Sequence, residues 1–264
     1  MSKGETEEER AARYAALEAE ARTMEVPQFR RREFFSVGTG LVAGALGFWG
    51  FRSVQNQENA DGIPKVLRSV HEANETLWRG LHRPNALART FDPSESSMLR
   101  VNGRHGIRDE INLAAWSLSV ENAAGERIGT HTLAEIQELP KFEMTVEHKC
   151  VEGWSHIVTW GGARFSDFAA WYSDQAGAEF VGMETPDDGY YVGLERATMM
   201  HPQTLLAWEL QGEPLSQDHG APLRLATPLK YGIKQIKRIG RIQFTDQQPA
   251  DYWAERGYDW YSHL

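Results

Sequence analysis

The sequence predicts an α+β domain with mixed β-sheets, preceded by an N-terminal signal-anchor helix. Three observations predict it. Ala115–Glu121 and Phe142–Cys150 alternate apolar and polar residues with a period of two, as half-buried strands do. Between them a short helix starts, where Thr132 and Glu135 form a capping box and Pro140 marks the stop. Upstream, Ser36–Phe51 carries no charged residue and follows Arg30, Arg31 and Arg32.

Taken in order, residues 1–29 are rich in Ala, Glu and Arg. They have too little apolar matter to bury, so they read as a charged helix or extension that Pro27 breaks. In residues 30–52 an arginine pair precedes Phe34 and an apolar run, the layout of a twin-arginine-like export signal. The run falls slightly short of the ~20 residues of a comfortable membrane span. Trp49, Phe51 and Arg52 leave no small-x-small cleavage site, so the expectation is an uncleaved anchor. That would hold the chain at the periplasmic side of the inner membrane. A cleaved signal and a glycine-rich helix of the soluble domain are the other two readings.

Residues 53–250 form the expected catalytic domain. Its beginning is weakly periodic, with short helices around Pro64–Leu67 and Glu75–Trp78 and an irregular passage from Leu81 to Pro93. Ser97–Gly103 reads as a strand running into a turn before Arg104, His105 and Gly106. In the Phe142–Cys150 strand, Met144, Val146, His148 and Cys150 share one face, and Lys149 points to the other. The glycine turn at Gly153 begins just beyond. Trp160-Gly161-Gly162 follows, and a helix through Ala169–Tyr172 completes a strand–loop–helix unit whose loop lies beside the cysteine. Thr204–Gly212 reads as a strand or short helix, and Leu223–Thr227 as a strand.

Cys150 is the only cysteine in 264 residues. That excludes an internal disulfide, a four-cysteine zinc site and a cysteine-ligated iron–sulfur cluster. It leaves an inert buried thiol, a reactive thiolate or a metal ligand. The net charge of −9 argues against a nucleic-acid partner. Against that balance, Lys230–Arg241 holds five cations and no acid. Ile233, Ile236 and Ile239 can pack to one side, leaving the cations free for an anion such as a phosphate, or for a solvated helix face. Neither a Rossmann glycine fingerprint nor a P-loop is present, nor a Gly-x-Ser-x-Gly elbow or His-Glu-x-x-His motif.

Cys150-Val151-Glu152-Gly153-Trp154-Ser155 with Trp160-Gly161-Gly162 resembles the metal-ligating segment of the sulfite-oxidase family of molybdopterin enzymes. Within that family it is most similar to the bacterial periplasmic branch that reduces protein methionine sulfoxide. The likeness continues through His201–Leu206, Gly212–Leu215, His219–Leu225 and Pro228–Lys237. It implies a mixed α+β fold around a buried molybdenum-molybdopterin cofactor. It implies Cys150 as molybdenum thiolate, with Arg224, Lys234, Gln235, Ile236 and Lys237 at the pterin phosphate. Thr185 matches a pterin-contacting threonine, and Asn85 an asparagine near the metal. His219 stands where the branch has an asparagine, and the stretch from Thr185 to Tyr190 is shorter than in the branch.

The chemistry implied is oxygen-atom transfer or two-electron redox on a small or protein-borne sulfoxide-like substrate. A membrane haem- or quinone-linked subunit would exchange the electrons. Sulfite dehydrogenase-type oxidation and a non-catalytic anchored redox-complex subunit are the alternatives. A charged oxyanion would need a cation facing the metal, for which Arg104, His105 and His156 are the candidates. The chain ends about twenty residues past Phe244, so the C-terminal dimerisation domain of longer sulfite oxidases is not expected. Residues 251–264 form an aromatic, acidic tail, expected to pack back on the domain or to dock a redox partner.

Overall fold

The computed structural model describes residues 47–53, 59–60, 63–81 and 86–264. The arginine motif, most of the run Ser36–Phe51, and Asn85 lie outside the described residues. Residues 47–53 are helical. Among the described residues no helix is long and apolar enough to cross a membrane. The chain divides into two compact units at Asn56/Gln57.

The second unit begins with a short antiparallel pair, β1 (Asn59–Ala60) and β2 (Ile63–Pro64), and one long helix, α1 (Lys65–Leu81). The two short helices expected here are therefore one. Pro64 sits just before the helix, where its missing N–H costs nothing. No proline or glycine interrupts the helix before Gly80, and Glu75 pairs with Arg79 one turn on.

The remaining strands are β3 (Leu118–Glu121), β4 (Arg127–His131), β5 (Lys141–Lys149), β6 (Ser155–Arg164), β7 (Phe180–Glu184), β8 (Tyr191–Glu195), β9 (Leu205–Leu210), β10 (Glu213–Pro214), β11 (Arg224–Ala226) and β12 (Arg241–Thr245). The short helices are α2 (Leu133–Ile136), α3 (Phe165–Ala169) and α4 (Arg196–Met199). One sheet runs β10-β9-β6-β5, with β11 also on β9; the other runs β4-β3-β12-β7-β8. Only β12 and β3 pair in parallel, so the second sheet is mixed.

The strand expected from Ala115 starts three residues later, because Asn112 caps a 3-10 turn over Leu113–Ala115. The capping box at Thr132 and Glu135 forms with both of its bonds. Met144, Val146, His148 and Cys150 all turn inward, each less than 9% exposed. Trp160-Gly161-Gly162 lies within a ten-residue strand rather than a loop. Ser97–Gly103 forms no strand: Ser97 N–H donates to the Ile157 carbonyl at 2.9 Å, and the pairing goes no further.

Lys230–Arg241 is no helix either, and most of its cations find partners within the chain. Lys230 meets Glu195 at 2.8 Å and the Tyr261 carbonyl at 2.7 Å. Lys234 meets Asp251 at 2.6 Å and the Gly193 carbonyl at 3.0 Å. Arg238 donates to the Asp109 carbonyl and to Gln217, and Arg241 reaches Glu121 and Glu184. Asp251, Trp260 and Tyr261 are buried, so the tail packs back on the domain.

Removing one partner of a buried ion pair leaves the other charged and unanswered. Asp251→Ala should therefore lower stability by about 3–5 kcal/mol, read as a shift in the urea unfolding midpoint. The double change Asp251→Leu with Lys234→Met should recover most of the loss.

Candidate active site

β5 and β6 form a hairpin whose tight turn carries the thiol. Cys150 N–H donates to the Trp154 carbonyl at 2.9 Å, and Gly153 N–H to the Cys150 carbonyl at 3.1 Å. Gly153 takes φ +86°, which a residue with a side chain rarely adopts. The turn sets Cys150 on the wall of a cavity of about 310 Å³. Asn102 Nδ2 lies 3.8 Å from its Sγ and 3.3 Å from the Glu152 carboxylate.

Arg100 and two less exposed cations, Arg224 and Lys237, share that wall. Arg224 is fully buried at the start of β11, its guanidinium 4.5 Å above the Trp160 ring. It donates to the His219 carbonyl at 2.9 Å and the Gln235 carbonyl at 3.2 Å. Burial holds it down to about 9, still cationic at neutral pH. Lys237 donates to the carbonyls of Asn102, Gly103 and Asp218. Burial first, and then neighbouring Arg224, pull it down to about 7. Gly220 lets this segment pass, since a Cβ there would meet Lys237 Cβ at 2.6 Å.

His148 faces the same cavity and is kept down to about 3 by burial and then by Arg224, so it is neutral. Its Nδ1 lies 3.1 Å from Gln235 Oε1. The Gln235 amide donates to the Lys230 carbonyl, which fixes Oε1 toward the ring and makes Nδ1 the donor. Tyr190, Trp154, Trp253 and Tyr258 supply aromatic surface.

Of the residues singled out in the sequence, Cys150, His105, Arg224, Gln235 and Lys237 meet on this cavity. Among the described residues, the others are not part of its lining. Lys234 turns to Asp251, because the 3-10 turn Gly232–Lys234 aims it at the tail. Ile236 is wholly buried in the core. The Thr185 hydroxyl closes its own turn with Asp187 and Tyr190. His219 is tied to Ser216 and to the Leu99 carbonyl. Arg104 is 74% exposed and 4.0 Å from Asp218, and His156 bonds Ser97. Sequence reasoning passed over Asn102, Tyr190, Trp253 and Tyr258 as site residues. His148 did carry a signal: it shares the inward face with Cys150, two residues away.

Volume alone does not locate the site. Cavities of about 350 Å³ beside Arg241 and about 490 Å³ beside Phe142 carry no thiol. Only one acid, Glu152, lines the Cys150 cavity, and its carboxylate accepts from Trp154 and Asn102. Among the described residues no carboxylate lies within ion-pair distance of Arg224 or Lys237. A buried Arg224 and a half-buried Lys237, neither with a carboxylate at ion-pair distance, and one thiol suit a ligand with an anionic end and a thiophilic metal.

This arrangement belongs to an oxidoreductase built to hold a phosphorylated, metal-bearing cofactor. The profile of the oxidoreductase molybdopterin binding domain family matches residues 105–253, which include Cys150, Arg224 and Lys237. The chain belongs to that family, and its cofactor is molybdenum-molybdopterin. An Azospira oryzae protein that carries the name of a protein-methionine-sulfoxide reductase subunit, YedZ1, is 32% identical over 206 residues. These are 76% of this chain and 77% of that protein. The protein-methionine-sulfoxide reductase catalytic subunit MsrP of Xanthomonas campestris pv. campestris is 34% identical over 160 residues, 55% of this chain. The chain spans 49% of that relative's length. The sulfane dehydrogenase SoxCD of Paracoccus pantotrophus superposes with a TM-score of 0.47 at 18% identity, over 53% of this chain and 40% of that one.

Lys237 gives the site a pH signature. Its proton is lost as pH rises through about 7, far below its ordinary 10.5. Sulfate, whose own charge does not change there, should bind the cofactor-free chain less tightly as pH climbs through that value. Lys237→Met should flatten the dependence in a titration followed by calorimetry. Without an anion the linkage has the opposite sense. The unfolded chain binds more protons between about 7 and 10.5, so this group's contribution to stability rises with pH across that window.

Proposed function

We propose that the chain is the catalytic subunit of an enzyme that reduces a sulfoxide-like group, on a small molecule or an oxidised protein. Two electrons and two protons turn the sulfoxide into a thioether and water. The electrons come from a membrane haem- or quinone-linked partner. One observation carries the reading: Cys150, Arg224 and Lys237 meet on a single cavity in which no carboxylate answers either cation. The names of the two reductase relatives support the substrate class.

Arg224 and Lys237 hold the pterin phosphate, and Cys150 presents its sulfur to molybdenum. The bound cofactor supplies two-electron oxygen-atom transfer. Gln235 and His148 fix the wall between them: the neutral imidazole adds no third charge beside two cations, which would weaken the cofactor-free fold. Trp154, Tyr190, Trp253 and Tyr258 receive a thioether-forming side chain, since sulfur packs favourably at aromatic edges. The sequence motif at residues 30–52 supports a domain held at the periplasmic face by the run Ser36–Phe51.

Sulfite dehydrogenase-type oxidation is the second reading, favoured by one observation. Arg100 also lines the cavity, with its guanidinium 5.7 Å from the Trp154 ring centroid. A screen of sulfoxides, N-oxides and sulfite on loaded enzyme decides between the two.

The loaded chain should contain one molybdenum. Cys150→Ala should lower turnover by more than about 100-fold, beyond what the loss of an outer-shell partner costs, while its thermal unfolding stays close to the parent's. Unchanged turnover in a loaded Cys150→Ala protein would rule out the ligand role. Arg224→Met should retain less cofactor through gel filtration.

A further inference from the structure

Helix α1 is mounted with its polar side inward. At about 100° per residue, Arg68, His71, Glu75 and Arg79 fall on one side. Arg68 is buried, donating to the Ala254 carbonyl at 2.7 Å and the Tyr258 carbonyl at 3.0 Å. Arg79 lies over the Tyr261 ring at 5.1 Å and is held by Glu75. The side next to it carries Leu67, Val70, Leu77, Trp78 and Leu81 within about 100° of arc, each between 47% and 61% exposed. Asn74 is the one polar residue in that arc.

A helix seated on a globular domain normally turns its apolar stripe to the core. Here the domain is gripped by arginines and the stripe faces out, a contiguous patch of the kind that marks a protein or membrane contact. Chain continuity favours the membrane. The uncharged run ends at Trp49 and Phe51 with Arg52 beside them, the aromatic and basic residues that sit at headgroup level. Residues 52–64 join that point to α1, and thirteen residues span at most about 45 Å.

We infer that α1 lies in the plane of the membrane interface, with its stripe among the phospholipid headgroups and upper acyl chains. The inference rests on reading residues 36–51 as an anchor. It also assigns an orientation to the catalytic cavity. Through Arg68 the helix holds the backbone of Ala254 and Tyr258, and Tyr258 and Trp253 line that cavity. The bilayer contact thereby fixes which way the cavity faces.

The test uses the full, cofactor-loaded chain in vesicles of phosphatidylcholine with phosphatidylglycerol. A benzoylphenylalanine crosslinker replaces Leu77 or Leu81 on the stripe, Leu46 in the run, or Glu126 at an exposed turn. Irradiation and mass spectrometry identify each adduct. Lipid adducts at positions 77 and 81 but not at 126 are expected. Adducts from 77 and 81 to residues 36–51, to a second copy or to another protein would overturn the inference. So would the absence of lipid adducts there while position 46 gives them. Lipid at 77 and 81 without lipid at 46 would sink the anchor reading and leave the interfacial helix standing; no lipid at any position would sink both.

Discussion

Two cations that have no carboxylate at ion-pair distance among the described residues shape the site, Arg224 and Lys237. Unpaired buried charge is costly, and the fold meets the cost with backbone oxygen. Arg224 donates to carbonyls on either side of its strand, over the face of Trp160. Lys237 gathers three carbonyls from two loops. Neutral dipoles satisfy the hydrogen-bonding demand of a cation and leave its charge unspent. An anionic ligand entering between the two meets a preorganised positive wall, with a thiol on the same cavity.

What could be read from the sequence divides along the range of the interactions involved. Cys150 on the inward face is local information, because alternation along β5 puts Met144, Val146, His148 and Cys150 together whatever pairs with the strand. The capping box at Thr132 is local too. The five cations between 230 and 241 are a different problem. Their clustering signalled an anion site, yet which cation faces the cavity depends on Glu195, Asp251, Glu121 and Glu184, scattered over more than a hundred residues. Without those partners Lys234 and Lys237 look equivalent. Ser97–Gly103 fails for a similar reason: its apolar pattern suits a strand, but only Ser97 finds a backbone partner across the gap to β6.

The same segment works in two directions. Lys237 turns to the cavity, whereas Lys230 and Lys234 are buried against the tail, the first on Tyr261 and the second on Asp251. Lys234 also stands over the Trp260 ring at 4.5 Å. The tail so fixed returns Trp253 and Tyr258 to the cavity wall. Gln235 joins the two halves, its Oε1 on His148 and its amide on the Lys230 carbonyl. One short run of backbone therefore sets both the cationic wall and the aromatic rim.

That economy explains why His148 must be neutral. A protonated imidazole would add a further positive charge beside Arg224, and the ring has its place because residue 232 is glycine: a Cβ there would meet Nε2 at 3.0 Å. Burial removes the charge and leaves a single donor, Nδ1–H, committed to Gln235. The residue two positions before the thiol thus positions the segment that carries Gln235 and Lys237. β5 and the residue that follows it therefore shape two parts of the cavity: Cys150 at its end, and, through His148 and Gln235, the segment that carries Lys237.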